Sequence, residues 1–310
     1  MRSPGRSLAG RPRERSRVHT KQARLFGVLG DPVDHSLSPA MHNAAFAAAK
    51  LPYLYLRYHV PIAALAGALD EARRLGMGGL NLTVPLKEAV LPFLDTITAE
   101  ARRIGAVNTV LFQGGRLVGD NTDGRGFLAA LGGRVRLSGA HAIVIGAGGS
   151  ARAVAASLHA AGVRQLTIAN RTIARARDLA SRYKGVAVSL DRLGDADLLA
   201  DAALVVNTTS VGLGDTKLGV RAKATPRNSL FVDLVYGARP TPFLLGAARA
   251  RRPTLDGGQM LLHQGALAFE AWTGRRAPRS AMARALRAAG LSLTEPAAAG
   301  TVAAHRPPTR

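Results

Sequence analysis

A chain of 310 residues, 47% of them hydrophobic, buries a substantial core and reads as two domains rather than one. It has no cysteine, no apolar run of the ~18–20 residues that cross a bilayer and no secretory h-region, which excludes disulfides, thiolate nucleophiles and Cys-type zinc sites and leaves the cytoplasm as the expected location. The formal net charge of +22 raises nucleic-acid binding, but residues 1–24 carry eight basic side chains against one acid, Glu14, and the remaining arginines are dispersed rather than gathered in a stripe.

In chain order, residues 1–24 are set aside as a disordered basic extension. From residue 25, short apolar strands alternate with Ala-rich helical stretches: strand 25–29, helix 39–50, strand 53–59, helix 62–75. That alternation is the βαβ signature. Ser38 before Pro39 reads as an N-cap with proline at the first helical position. Ser36 and Ser38, two hydroxyls beside the free N–H groups of a helix start, also offer a seat for a carboxylate. The strand-like Asn81-Leu82-Thr83-Val84 leads to Lys87, one of only six lysines in a chain that otherwise writes arginine. Lysine transfers a proton at neutral pH and arginine does not, so Lys87 is a candidate proton donor as well as a plain surface residue. Asp123 reads as a turn or helix cap, or as a partner for such a lysine.

The pattern restarts after Asp120, with a domain boundary near Asn121: strand 142–145, helix 151–161, strand 166–169. Gly146-Ala147-Gly148-Gly149-Ser150-Ala151 follows a strand and opens a helix, the context that turns a glycine pattern into a dinucleotide fingerprint. Gly146 permits the turn, Gly148 lets backbone approach a pyrophosphate, and Ala151 allows close helix packing. Roughly 20 residues on, where an NAD-binding fold places an acid for the ribose 2′-hydroxyl, stands Asn170-Arg171-Thr172, with Arg175 one turn later. Two guanidinium groups and no acid predict NADP rather than NAD. A final helix, 260–273, is apolar on more than one face and is expected to pack back on the first half. Residues 295–310, rich in Ala and Pro, read as a disordered tail.

Taken in order, several segments resemble the shikimate dehydrogenase family over about residues 25–290. They are 30–39 with His42 and Asn43, 81–87, 105–109, 119–123, 146–151, 170–172, 207–212, 233–236, and 256–261 ending at Gln264. The resemblance implies two α/β domains with a cleft between them: an N-terminal substrate-binding catalytic domain (25–121 plus 259–290) and a Rossmann-type NADP-binding domain (122–258). It further implies that Ser36, Ser38 and Tyr236 hold the substrate carboxylate, that Thr83, Asn108 and Gln264 bond ring hydroxyls, and that Lys87 and Asp123 form the catalytic pair. Cofactor contacts would come from Gly146, Ala147, Gly148, Gly149, Ser150, Asn170, Arg171, Thr172, Arg175, Leu234 and Gly257. Two departures stand out, Gln259 and the run Gly237-Ala238-Arg239 after Tyr236.

The implied reaction is reversible NADPH-dependent reduction of 3-dehydroshikimate to shikimate, with no metal, by a monomer or homodimer that engages neither nucleic acid nor membrane. Domain opening is expected to hinge near Asn121 and Asp256. The rivals are a quinate/shikimate dehydrogenase using NAD(P), a methylenetetrahydrofolate dehydrogenase, which the Ser36 and Ser38 pair disfavours, and a non-catalytic ligand sensor, against which Lys87 and Asp123 argue.

Overall fold

The computed structural model describes residues 23–211 and 218–293. The basic extension up to residue 22, the tail from residue 294, and Gly212 of the 207–212 segment lie outside the described residues. Arg24, assigned to the extension, instead opens the first strand, because its backbone pairs with Tyr53.

The first half runs β1 (Arg24–Gly30), α1 (Ser38–Ala48), β2 (Tyr53–His59), α2 (Leu65–Arg74), β3 (Gly79–Leu82), α3 (Leu86–Ala89), β4 (Thr96–Ile97), α4 (Ala99–Ile104), β5 (Thr109–Gln113) and β6 (Arg116–Asp120). Its sheet has the order β2-β1-β3-β5-β6-β4. β1 is parallel to β2 and β3, whereas β5 runs antiparallel to β3 and β6. The β5–β6 turn places both Gly114 and Gly115 at positive φ, which a tight hairpin requires.

The second half runs α5 (Asp123–Leu131), β7 (His141–Ile145), α6 (Gly149–Ala160), β8 (Gln165–Ala169), α7 (Ile173–Ser181), β9 (Val186–Val188), α8 (Ala196–Leu199), β10 (Ala202–Asn207), β11 (Leu230–Asp233), α9 (Pro242–Arg249) and β12 (Thr254–Leu255). Every strand pair in this sheet is parallel, in the order β12-β11-β10-β7-β8-β9. That is the doubly wound order of a Rossmann sheet, in which the order of strand addition reverses between β7 and β10. β7, His-Ala-Ile-Val-Ile, is buried along its whole length, as a strand covered on both faces must be.

The chain then returns: α10 (Gly258–Thr273) and α11 (Arg279–Ala288) close the fold. Met260 of α10 joins the core around β7 and β10, while Leu261, Leu262, Ala266 and Phe269 join Phe26, Phe46 and Tyr55 of the first half. The expected burial on more than one face is thus divided between two cores. Gly126 of α5 and Gln264 of α10 approach so closely that a Cβ on Gly126 would sit 2.8 Å from the Gln264 backbone nitrogen. Trp272 fastens the far end of α10 by donating Nε1–H to the Val110 carbonyl at 3.1 Å.

Several boundaries move by one to three residues. The helix expected at 62–75 begins as a 3₁₀ turn over Ile62–Ala64 before α2, a common form for a helix entry after proline, here Pro61. Ser38 is not the N-cap. Leu37 occupies that position without a side-chain cap bond and Ser38 is the first helical residue, so its hydroxyl is left to face the cleft.

Candidate active site

A cavity of about 170 Å³ lies where the two lobes meet. It is smaller than the ~300–1,000 Å³ that drug-sized ligands commonly occupy, room for one small ring. Its walls bring together Ser36, Ser38, Thr83, Lys87, Asn108, Asp123, Ser150, Leu234, Tyr236, Gly257 and Gln264, all of them singled out from the sequence. They come from residues 36–264 of the chain and converge because β1, β3 and β6 end at the cleft and α10 crosses it.

At one end are hydroxyls. The loop after β1 turns into α1 so that the Ser38 amide donates to Ser36 Oγ at 3.3 Å, and Arg57 Nε holds the Ser36 carbonyl at 2.8 Å. Tyr236 reaches across from the second lobe to the same loop, and its burial pushes the phenol pKa up despite contacts with the Leu37 backbone and the Ser36 hydroxyl. Protonated at neutral pH in any case, the phenol offers its O–H as a donor.

At the other end is an ion pair. Lys87 Nζ lies 2.6 Å from Asp123 Oδ2, with side chains only 12% and 5% exposed. Lys87 stands in α3, one short turn after the sharp Val84-Pro85 corner, and Asp123 opens α5. Asp123 does not act as a side-chain cap: its second oxygen accepts from Asn108 Nδ2 at 2.7 Å, and its backbone amide donates to Asn121 Oδ1 at 3.0 Å. The Asn108 amide also lies 3.4 Å from Gln264 Oε1, so the carboxylate, the amide and the α10 glutamine form one edge of the cavity. A carboxylate with bonds on both oxygens and a lysine with restricted freedom make a preorganised proton donor. Lys87 Nζ also donates to Ser150 Oγ at 3.0 Å, across the seam into the glycine loop.

The glycine loop sits at the switch point between β7 and β10. Gly146 has φ +116°, and a Cβ there would collide with Thr208 Oγ1 from the end of β10. A Cβ on Gly149 would lie 2.7 Å from Lys87 Cβ, so the loop presses directly on the lysine of the other lobe. Gly148 has nothing within 4 Å of its would-be Cβ and leaves its backbone open to a ligand. The helix α6 begins at Gly149, two residues earlier than expected, because Gly148 takes the cap position; Gly149 and Ser150 therefore lie in its first turn. Ala151 is fully buried. Beyond β8, Asn170 Nδ2 bonds the Thr172 carbonyl at 2.9 Å and Arg171 is exposed. Gly257 is pinned, since a Cβ there would strike the Leu234 carbonyl. An open, anion-accepting loop at a helix start, next to exposed guanidinium groups and with no acid at the end of β8, fits NADP.

Arg175, expected beside Arg171, points elsewhere: its Nη2 lies 3.3 Å from Glu88 Oε1 and 3.4 Å from the Ala147 carbonyl. Gln259 is buried in α10, whereas residues 237–239 are exposed.

Two further side chains, Asn81 in the cavity wall and Tyr55 behind it, connect the two ends. Tyr55, fully buried in β2, donates its hydroxyl to Asn81 Oδ1 at 2.7 Å and also contacts Ser38; Asn81 donates in turn to the Asn108 carbonyl at 3.0 Å. Together they join the hydroxyl end to the ion-pair end. The signal for Tyr55 was its place: a tyrosine on the inward face of a strand needs a partner for its hydroxyl.

Comparisons with known proteins agree with this geometry. Family models match as the shikimate dehydrogenase substrate binding domain over residues 28–110, shikimate / quinate 5-dehydrogenase over 129–235, and the shikimate 5′-dehydrogenase C-terminal domain over 257–287. The chain is 46% identical over 289 residues to the shikimate dehydrogenase (NADP(+)) of Moorella thermoacetica, covering 88% of this chain and 96% of that protein. Among solved structures, the shikimate 5-dehydrogenase of Thermus thermophilus, in complex with NADP(H) and shikimate, matches with TM-score 0.76 at 46% identity over 86% of this chain and 99% of that one. The shikimate dehydrogenase of Aquifex aeolicus matches with TM-score 0.80 at 36% identity over 86% and 98%. With relatives this similar along nearly their whole length, the chain belongs to the shikimate dehydrogenase family.

Proposed function

We propose that this protein is an NADP-dependent shikimate dehydrogenase, an oxidoreductase that reversibly reduces the ring ketone of 3-dehydroshikimate to the alcohol of shikimate on the way to chorismate and the aromatic amino acids. The observation that carries this reading is the nearly buried Lys87–Asp123 pair, 2.6 Å apart, in a ring-sized cavity whose opposite end is lined by Ser36, Ser38 and Tyr236. Residues 25–121 with 259–290 are assigned to the substrate-binding catalytic domain and 122–258 to the NADP-binding domain. The sharing of one core by α1, α10 and α11, and of another by Phe127, β7 and α6, supports that division. We place the enzyme in the cytoplasm as a monomer or homodimer; no helix among the described residues is long and apolar enough to cross a membrane.

NADPH, when bound, supplies the hydride. Gly146, Ala147, Gly148, Gly149 and Ser150 would hold its pyrophosphate, Asn170, Arg171, Thr172 and Arg175 its 2′-phosphate side, and Leu234 and Gly257 its nicotinamide end. Lys87 gives a proton to the ketone oxygen as negative charge develops there, and its own charge stabilises that oxygen until the transfer is complete. Asp123 accepts a hydrogen bond from Lys87 and, once the oxygen has become the hydroxyl of shikimate, from that hydroxyl, fixing both. Ser36, Ser38 and Tyr236 donate to the substrate carboxylate, and Thr83, Asn108 and Gln264 bond the ring hydroxyls. In oxidation the steps reverse, with Lys87 receiving the proton.

The test is NADPH formation by the purified chain with shikimate or quinate, each with NADP and with NAD. Turnover confined to shikimate with NADP is the expected result. Comparable turnover of quinate or with NAD moves the assignment to a quinate/shikimate dehydrogenase, and no turnover with any pair moves it to a ligand sensor.

A further inference from the structure

Glu88 follows Lys87 in α3 of the first lobe, yet both of its carboxylate oxygens are taken by arginines of the second lobe. Oε2 accepts from Arg152 Nε at 3.0 Å and Oε1 lies 3.3 Å from Arg175 Nη2. The two arginines are not equivalent. Arg152 is 11% exposed and its Nη2 is also fixed by Asp178 at 2.9 Å, whereas Arg175 is 55% exposed. The same Arg175 nitrogen lies 3.4 Å from the Ala147 carbonyl, so the guanidinium is drawn back over the glycine loop towards the opposite lobe. Arg152 holds the carboxylate in place, and Arg175 is its exchangeable partner.

A carboxylate and a phosphate monoester are taken by a guanidinium through the same charge-assisted N–H···O bonds. The geometry points to Glu88 as an internal rival of the cofactor's 2′-phosphate for the Arg175 guanidinium, and hence as a residue that sets the margin of NADP over NAD. This rests on the reading above that Arg175 contributes to binding that phosphate. To engage it, Arg175 must leave Glu88; NAD carries a hydroxyl at that position and makes no claim on the guanidinium. The carboxylate therefore weakens NADP binding selectively, while Arg152 keeps Glu88 anchored after Arg175 has left.

The experiment is steady-state kinetics of the full chain and its Glu88→Gln, Arg175→Ala and doubly substituted variants with shikimate, varying NADP or NAD. Glu88→Gln is expected to lower KM for NADP roughly two- to fivefold, the range of a partly exposed ion pair, and to leave KM for NAD unchanged. Arg175→Ala is expected to raise KM for NADP, and in that background Glu88→Gln should have no further effect, because the competition requires both partners. NAD serves as the folding control within each variant. An unchanged or raised KM for NADP in Glu88→Gln, or an equal change for both cofactors, overturns the competition while leaving Arg175 as a phosphate ligand. An Arg175→Ala variant with unchanged KM for NADP removes that ligand assignment and the competition with it.

Discussion

The two lobes meet the cleft with different materials. On the first lobe, its face is made of side chains already bonded to one another or to Asp123 at the head of α5: Tyr55 to Asn81, and Lys87 and Asn108 to Asp123. On the second lobe it is made of open backbone at Gly148 and of arginines that are solvated or engaged elsewhere. Fixed side chains recognise one arrangement of hydroxyls and penalise any ligand that leaves them unpaired, at ~1–3 kcal/mol per buried group. Backbone amides recognise any pyrophosphate, and exposed arginines add discrimination that solvent screens. Substrate choice is accordingly expected to be stricter than cofactor choice.

The sharpest way to break this contrast is at the ion pair. Lys87→Ala should lower turnover by at least about a hundredfold with little change in substrate KM, because general acid catalysis contributes ~10²–10⁴-fold and acts on the transition state. Near-normal turnover in a pre-steady-state assay would remove Lys87 from the chemistry. At the hydroxyl end, Ser38→Ala should raise KM for shikimate roughly ten- to a hundredfold, the ~1.5–3 kcal/mol of a hydrogen bond to a charged group. A flat KM would place the carboxylate away from Ser38.

The smallest effect sets the lobes against each other in acid. In the first lobe His42 is wholly buried, stacked on Tyr55 at 4.5 Å with neither ring nitrogen hydrogen-bonded, and burial lowers its pKa to about 3. The unfolded chain takes up that proton near 6.5 and the folded one does not, so stability is lost as pH falls from 6.5 towards 3. In the second lobe burial pushes Asp233 up to about 6, despite hydrogen bonds from Thr241, Val235 and Asn207. Here the folded state binds the proton first, so stability is gained as pH falls from about 6 towards about 4. Each contribution is at most about 3 kcal/mol at pH 4, and their opposition leaves a net loss of about 1 kcal/mol from these two groups. Urea unfolding of a His42→Phe variant at pH 4 and pH 7 should show a gain on acidification relative to the parent chain. A parallel response of the two proteins would mean that His42 is protonated in the folded state.

Much of this was legible in advance for identifiable reasons. Parallel strands announce themselves as unbroken apolar runs, so the stretch ending at Ile145 and its glycine loop were readable, as were Lys87 and Asp123 once set within their motifs. The antiparallel β5–β6 hairpin is less legible, although Gly114-Gly115 carries the usual turn signal, because its two strands are only five residues each and break the strand–helix alternation set by their neighbours. Tyr55 and Glu88 escaped for another reason. The inward place of Tyr55 on its strand says that its hydroxyl needs a partner but not which, and Glu88 has no such signal; each matters through partners 26 to 87 positions away. Chain periodicity sees one face of one element, whereas such pairs exist only after the lobes are assembled.

The passage of α10 between the two cores has a consequence for biosynthesis. The core of the second lobe is built largely from one continuous stretch, ending near Leu255, whereas Phe26 and Phe46 of the first wait for Phe269, Met282 and Leu286. At ~5–20 residues per second a ribosome delivers those last side chains roughly ten to fifty seconds after the first. The portion made first is thus completed last, and until then β1 and α1 lack the wall that covers their apolar side. A nascent chain stalled before α10 would expose that surface to chaperones, and removal of the final helices would cripple the oldest part of the polypeptide rather than the youngest.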